Sequence, residues 1–146
     1  MLRSQRLQVV LKLEEQKEHK ALEKMAAAQQ AHEAQHQQID KLQRYQREYR
    51  DQIRANQHGV VPVSRLQAWQ AFIAQLDQVI VQQQTVLDQA RARLDARREE
   101  WQKAWERRRG MEKYIDTCRR QEQQELDTQE QKLADEAASR VYQRRR

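Results

Sequence analysis

Glycine and proline are nearly missing from this chain: it has two Gly and one Pro in 146 residues. Globular domains use both several times more often. So few breakers leave room for about one turn, which predicts two long helices. Aromatic residues make up only 5% and hydrophobic residues 38%. A compact core is therefore not expected, and the buried surface must be spread thinly along a seam. The single Cys excludes an intramolecular disulfide and suits a reducing compartment. No apolar run approaches the roughly 20 residues that a membrane-spanning helix needs. The N-terminal apolar residues Leu2, Leu7, Val9, Val10, Leu11 and Leu13 are interrupted by Arg3, Gln5, Arg6 and Gln8. They lack the continuous run and cleavage site of a signal peptide, so a cytoplasmic protein is expected. No Ser/His/Asp arrangement, Gly-rich phosphate loop or pair of acids in a pocket can be assembled. The expectation is a protein without catalytic residues, cofactor, metal or small-molecule substrate.

What the chain has is periodicity. Alternating steps of three and four from Leu66 land on Leu66, Trp69, Ile73, Leu76, Ile80, Gln83, Leu87, Ala90, Leu94, Arg97, Trp101, Ala104, Arg108, Met111, Ile115 and Cys118. Only Gln83, Arg97 and Arg108 interrupt the apolar run. A repeat of 3.5 residues held this long keeps one stripe of a helix against a partner and marks a left-handed coiled-coil seam. The first half is poorer. Its seam is placed at Leu7, Val10, Glu14, Lys17, Ala21, Lys24, Ala28, Ala31, Gln35, Gln38, Leu42, Tyr45, Tyr49 and Gln52. Both ends of that seam are apolar and its middle is thin.

The break is Asn56-Gln57-His58-Gly59-Val60-Val61-Pro62-Val63. Gly59 suits the left-handed conformation that ends a helix, and Pro62 prevents continuation. Ser64 with Gln67 fits a capping box. One domain is expected, with a helix over about 4–56, a turn over about 57–63 and a helix over about 64–142. The fold class is all-α: a long two-helix antiparallel coiled-coil hairpin. Residue i should lie opposite roughly 120 − i, so the chain start meets residues near Cys118. Beyond Cys118 the apolar residues change phase to Leu126, Leu133, Ala137 and Val141. The hairpin should therefore carry an overhanging C-terminal helix. Alone, such a helix is marginal in water. It is either a frayed tail or a segment that orders inside a partner.

Three surface features stand out. Phe72, Val79 and Val86 are spaced by seven beside the seam. With Leu42, Tyr45 and Tyr49 they form either a broader core or a docking patch near the turn. The charge is mixed, with a formal net of +6 and a basic end of Arg140, Arg144, Arg145 and Arg146. A solvated face fits better than a nucleic-acid-binding arm, for lack of a groove or aromatic platform. His32 and His36 share a face without a suitable third ligand, and exposed histidines are expected. Cys118 reads as a small buried hydrophobe, and Trp101 and Trp105 as packing anchors under the Ala-rich part of the first helix.

The block Leu42-Gln43-Arg44-Tyr45-Gln46-Arg47-Glu48-Tyr49-Arg50, a turn with Gly59, then Arg65 and Gln70-Ala71-Phe72-Ile73-Ala74-Gln75-Leu76 with Ile80, resembles the FliJ family. These are coiled-coil components of the bacterial flagellar type III export apparatus. The resemblance extends through Trp101 to the closing Gln131-Lys132 and Asp135-Glu136-Ala137. It implies a central stalk of the hexameric export ATPase, bound through the end carrying both termini. It also implies contact with the cytoplasmic part of the membrane export gate through a surface near the middle and turn. Carried over residue by residue, that surface is Gln38, Leu42, Tyr45, Tyr49, Phe72, Leu76, Val79 and Gln83. Relatives can carry Ala and His at the last two positions, so the patch edge departs from the family pattern. The family is also linked to export chaperones. Leu7, Val10, Leu13, Leu126, Leu133, Ala137 and Val141 are the expected ATPase-ring contacts. The protein is expected in the cytoplasm, peripherally associated with the inner-membrane apparatus. Alternatives are the equivalent stalk of a virulence injectisome or, in another class, a nucleic-acid-binding arm.

Overall fold

A computed structural model describes residues 1–57 and 59–145. The expectations for His58 in the turn and Arg146 in the basic end lie outside the described residues. The fold is an all-α helical hairpin. Helix α1 is Arg3–Asn56 (54 residues) and α2 is Val63–Arg144 (82 residues). The scarcity of breakers is what permits helices of this length. Gly59 has φ 101°, the conformation for which it was singled out. The start of α2 differs from the expected capping box. It begins one residue before Ser64, and the Pro62 carbonyl accepts hydrogen bonds from the Arg65 and Leu66 N–H groups at 3.1 and 3.3 Å. Proline suits such a boundary because its fixed φ is helix-compatible and it has no N–H to leave unsatisfied.

All sixteen seam positions read for α2, from Leu66 to Cys118, are buried or half-buried. The α1 seam requires a correction. Its buried and half-buried positions follow the line Ser4, Leu7, Leu11, Glu14, Glu18, Ala21, Met25, Ala28, His32, Gln35, Ile39, Leu42, Gln46, Tyr49 and Ile53, with Gln8 and Val10 half-buried beside it. Every second position lies one residue later than expected: Leu11 replaces Val10, Ile39 replaces Gln38, and Gln46 replaces Tyr45. From Leu7 a step of three and a step of four both reach an apolar residue, and the step to Leu11 is the one taken. Leu11, Met25, Ile39 and Ile53 recur every fourteen residues on that line. Between them Ser4, Glu18 and Gln46 find polar partners across the seam.

Internal contacts group the chain into two units, Met1–Lys20 with Gln102–Arg146, and Ala21–Trp101. In the first, the Ser4 backbone N–H and Oγ donate to the Glu122 carboxylate at 3.0 and 2.7 Å. Arg108 pairs with Glu18 across the seam and with Glu112 at 2.6 Å along α2. These pairs fall along α2 as they rise along α1, so the helices of this unit are antiparallel. Ile115 (2% exposed), Cys118 and Ala104 are its buried apolar residues.

In the second unit Gln35 Nε2 donates to Gln83 Oε1 at 2.6 Å and to the Gln83 carbonyl at 3.1 Å. The Gln46 side-chain amide donates to the Asp77 carboxylate. This pairing is also antiparallel. Ala28, Ile39, Leu76 and Leu94 are buried here. Of the two expected anchors, Trp101 is half-buried but Trp105 is exposed, because it lies one step off the seam. His32 also departs from expectation: it occupies a seam position and is half-buried.

Candidate docking surfaces

The first surface lies in the turn-proximal unit. Phe72 is half-buried, with Tyr49 and Tyr45 edge-on to it at ring-centroid distances of 4.6 and 6.4 Å. Aromatic pairs at these distances favour such tilted arrangements. Leu42 and Tyr49 are half-buried seam residues, and Leu76 is buried against α1. Gln83 is held in the seam by Gln35. These residues shape the surface from beneath. Tyr45, Val79 and Val86 are its outward part, 50%, 39% and 43% exposed. Gln38 is also exposed. The seven-residue spacing of Phe72, Val79 and Val86 keeps them on one flank of α2. The broader-core and docking readings thus divide the stripe: Phe72 packs within the hairpin, while Val79 and Val86 do not.

The second surface lies in the other unit. Leu7 and Val10 are half-buried, and Leu13 is exposed. Ser4 at the start of α1 bonds to Glu122 of α2, beyond the expected limit at Cys118. Every described residue from Gln123 to Arg145 is exposed, including Leu126, Leu133, Ala137 and Val141. Where α1 begins, Leu2, Ser4, Gln5 and Gln8 face Arg119, Glu122, Glu125 and Leu126 across an open groove of about 680 Å³. Leu2 and Glu122 are parts of this surface that periodicity did not mark. The pairs Ser4–Glu122 and Glu18–Arg108 at this end correspond to a register centred three residues later than expected.

The electrostatics of this end follow from its hydrogen bonds. The Ser4 hydroxyl and N–H hold the Glu122 carboxyl below the usual glutamate range. The Arg108 guanidinium, seconded by Arg109, does the same for Glu112. Arg108, bonded to Glu18 and Glu112, is held even more firmly protonated than usual. Burial opposes each of these shifts. Ser4–Glu122 and Arg108–Glu18 fasten one helix to the other, while Glu112 braces Arg108 along α2. His36 Nδ1 lies 3.3 Å from an Asp40 carboxylate oxygen on the same helix. No helix among the described residues is long and apolar enough to cross a membrane.

The sequence model of the flagellar FliJ protein family matches residues 3–146, nearly the whole chain. The chain belongs to the FliJ family. Membership makes it a flagellar export-related protein. No curated protein and no solved structure matches the chain. The family match covers both helices, so the two candidate surfaces lie on FliJ-family sequence.

Proposed function

We propose that this FliJ-family chain is the central stalk of the hexameric flagellar export ATPase and links its ring to the membrane export gate. The observation that carries the reading is the bare end of α2. Every described residue from Gln123 to Arg145 is exposed, yet the segment keeps an apolar series, Leu126, Leu133, Ala137 and Val141. A single helix of thin amphipathicity gains order by docking. Inside a ring this segment, with Leu7, Val10 and Leu13 at the start of α1, contacts subunits asymmetrically and biases their nucleotide states. Tyr45, Val79 and Gln38, backed by Leu42, Tyr49, Phe72, Leu76 and Gln83, engage the cytoplasmic region of the gate. Both steps are protein–protein docking, and the hydrolytic chemistry belongs to the ATPase. The protein then works in the cytoplasm at the inner-membrane apparatus, where export chaperones are further partners.

Two variants separate the two contacts. Deleting residues 123–146 should abolish stimulation of the ATPase and leave gate binding intact. Changing Tyr45 and Val79 to Ser should weaken gate binding about tenfold or more, as expected for aromatic and apolar anchors, with stimulation retained. Stimulation that survives the deletion would move the ring contact elsewhere, first to Leu7, Val10 and Leu13.

A further inference from the structure

We propose that the bare end of α2 pairs antiparallel with the same segment of a second copy, forming a weak two-fold dimer. The spacing of the segment is symmetric. Steps of four, three, four, three and four from Leu126 reach Glu130, Leu133, Ala137, Arg140 and Arg144. This series continues the face of α2 that carries Ile115 and Cys118, with a step of four in place of a step of three between Glu122 and Leu126. Its intervals read the same in both directions about residue 135. A second copy laid antiparallel about that point sets Leu133 against the other copy's Ala137, and Glu130 against its Arg140. Leu126 lies against the aliphatic stem of Arg144.

Charge selects the direction. The segment begins acidic, with Glu122, Glu125, Asp127 and Glu130, and ends basic, with Arg140, Arg144 and Arg145. Antiparallel pairing joins Glu125 to Arg145 and Glu130 to Arg140, each twice by symmetry. Parallel pairing would place acid on acid and base on base. Lys132, Asp135 and Glu136 lie in the middle. Asp135 is on the side away from the stripe, and Lys132 and Glu136 flank it.

The cover fits the end of the hairpin as well. The arriving helix would run along the line of α1, which begins where Ser4 meets Glu122. Its C-terminus would reach the groove bounded by Leu2, Glu122, Glu125 and Leu126. There Glu125 offers its carboxylate to the incoming Arg145, while Arg119 on the same rim opposes it. The interface is short and half charged, which makes it weak, reversible and salt-sensitive. A dimer would cover the stripe before a ring engages it. That consequence rests on the ring docking proposed for this helix; the dimer itself does not.

The test is sedimentation of the full chain over a concentration series at low and high salt. The expected result is a monomer–dimer equilibrium that shifts toward monomer with salt. Glu130→Arg alone and Arg140→Glu alone should each raise the dissociation constant about tenfold or more, since attraction becomes repulsion at two symmetric places. The double variant Glu130→Arg with Arg140→Glu should restore dimerisation, as should mixing the two single variants. Both positions are exposed, so thermal melts should be unchanged and a folding defect would be visible separately. A chain that stays monomeric up to about 1 mM overturns the proposal, because no useful dimer is weaker. So does a dimer indifferent to the single reversals, or single-variant losses that neither the double variant nor the mixture repairs.

Discussion

Arg108 shows how this fold uses a charge in a seam. Its side chain is 21% exposed, and those of Glu18 and Glu112 are 17% and 30% exposed. Removing the guanidinium leaves two partly buried carboxylates without their shared cation. Arg108→Ala should therefore destabilise the hairpin by about 1–3 kcal/mol, between the values for exposed and buried ion pairs. Ile115→Ala should cost about 2–4 kcal/mol, because this side chain is 2% exposed and leaves a cavity. Thermal melts of both variants check these values. The pH dependence follows from the carboxyls of Glu112 and Glu122, held low by Arg108 and by Ser4. A depressed folded-state value means that their stabilisation is full above the ordinary glutamate range and is lost as pH falls through the depressed values. The melting temperature should thus hold steady down to about pH 5 and fall below it. Glu112→Gln with Glu122→Gln should flatten that fall.

At the scale of the elements, α2 was legible because thirteen of its sixteen seam positions are apolar. Its three exceptions have their own partners: Gln83 with Gln35, Arg97 with Glu100, and Arg108 with Glu18 and Glu112. The frame of α1 was not legible in the same way. Val10 and Tyr45 drew the frame one residue short, although Leu11, Met25, Ile39 and Ile53 mark it at intervals of fourteen. Polar seam residues such as Glu18 and Gln46 look misplaced until their partners on α2 are known. The stripe of Phe72, Val79 and Val86 was legible as a spacing of seven, but sequence alone did not divide it between packing and surface. Phe72→Ala removes a ring that Tyr45 and Tyr49 pack against, so it should lower stability by about 1–3 kcal/mol. Val79→Ser should change it by less than about 0.5 kcal/mol, as exposed positions usually do. Parallel chemical denaturation of the two variants distinguishes a shared core from a spare surface.

At the scale of the whole molecule, one helix is 28 residues longer than the other, 82 against 54. The surplus falls at the end carrying both termini. That asymmetry and the FliJ-family match underlie the proposed stalk, and the asymmetry was readable from the position of the break at Gly59 and Pro62. The partners themselves were not readable from periodicity or composition, because docking chemistry resides in complementarity to surfaces outside this chain. The end of α2 serves two proposals that make different demands: a ring accepts one chain, whereas a dimer joins two. The most direct measurement is the rate of ATP hydrolysis by the hexameric export ATPase, titrated with this protein at fixed hexamer concentration. A central stalk predicts stimulation that saturates at one chain per hexamer and is absent for the chain lacking residues 123–146. Saturation at six chains per hexamer, one on each subunit, would contradict it.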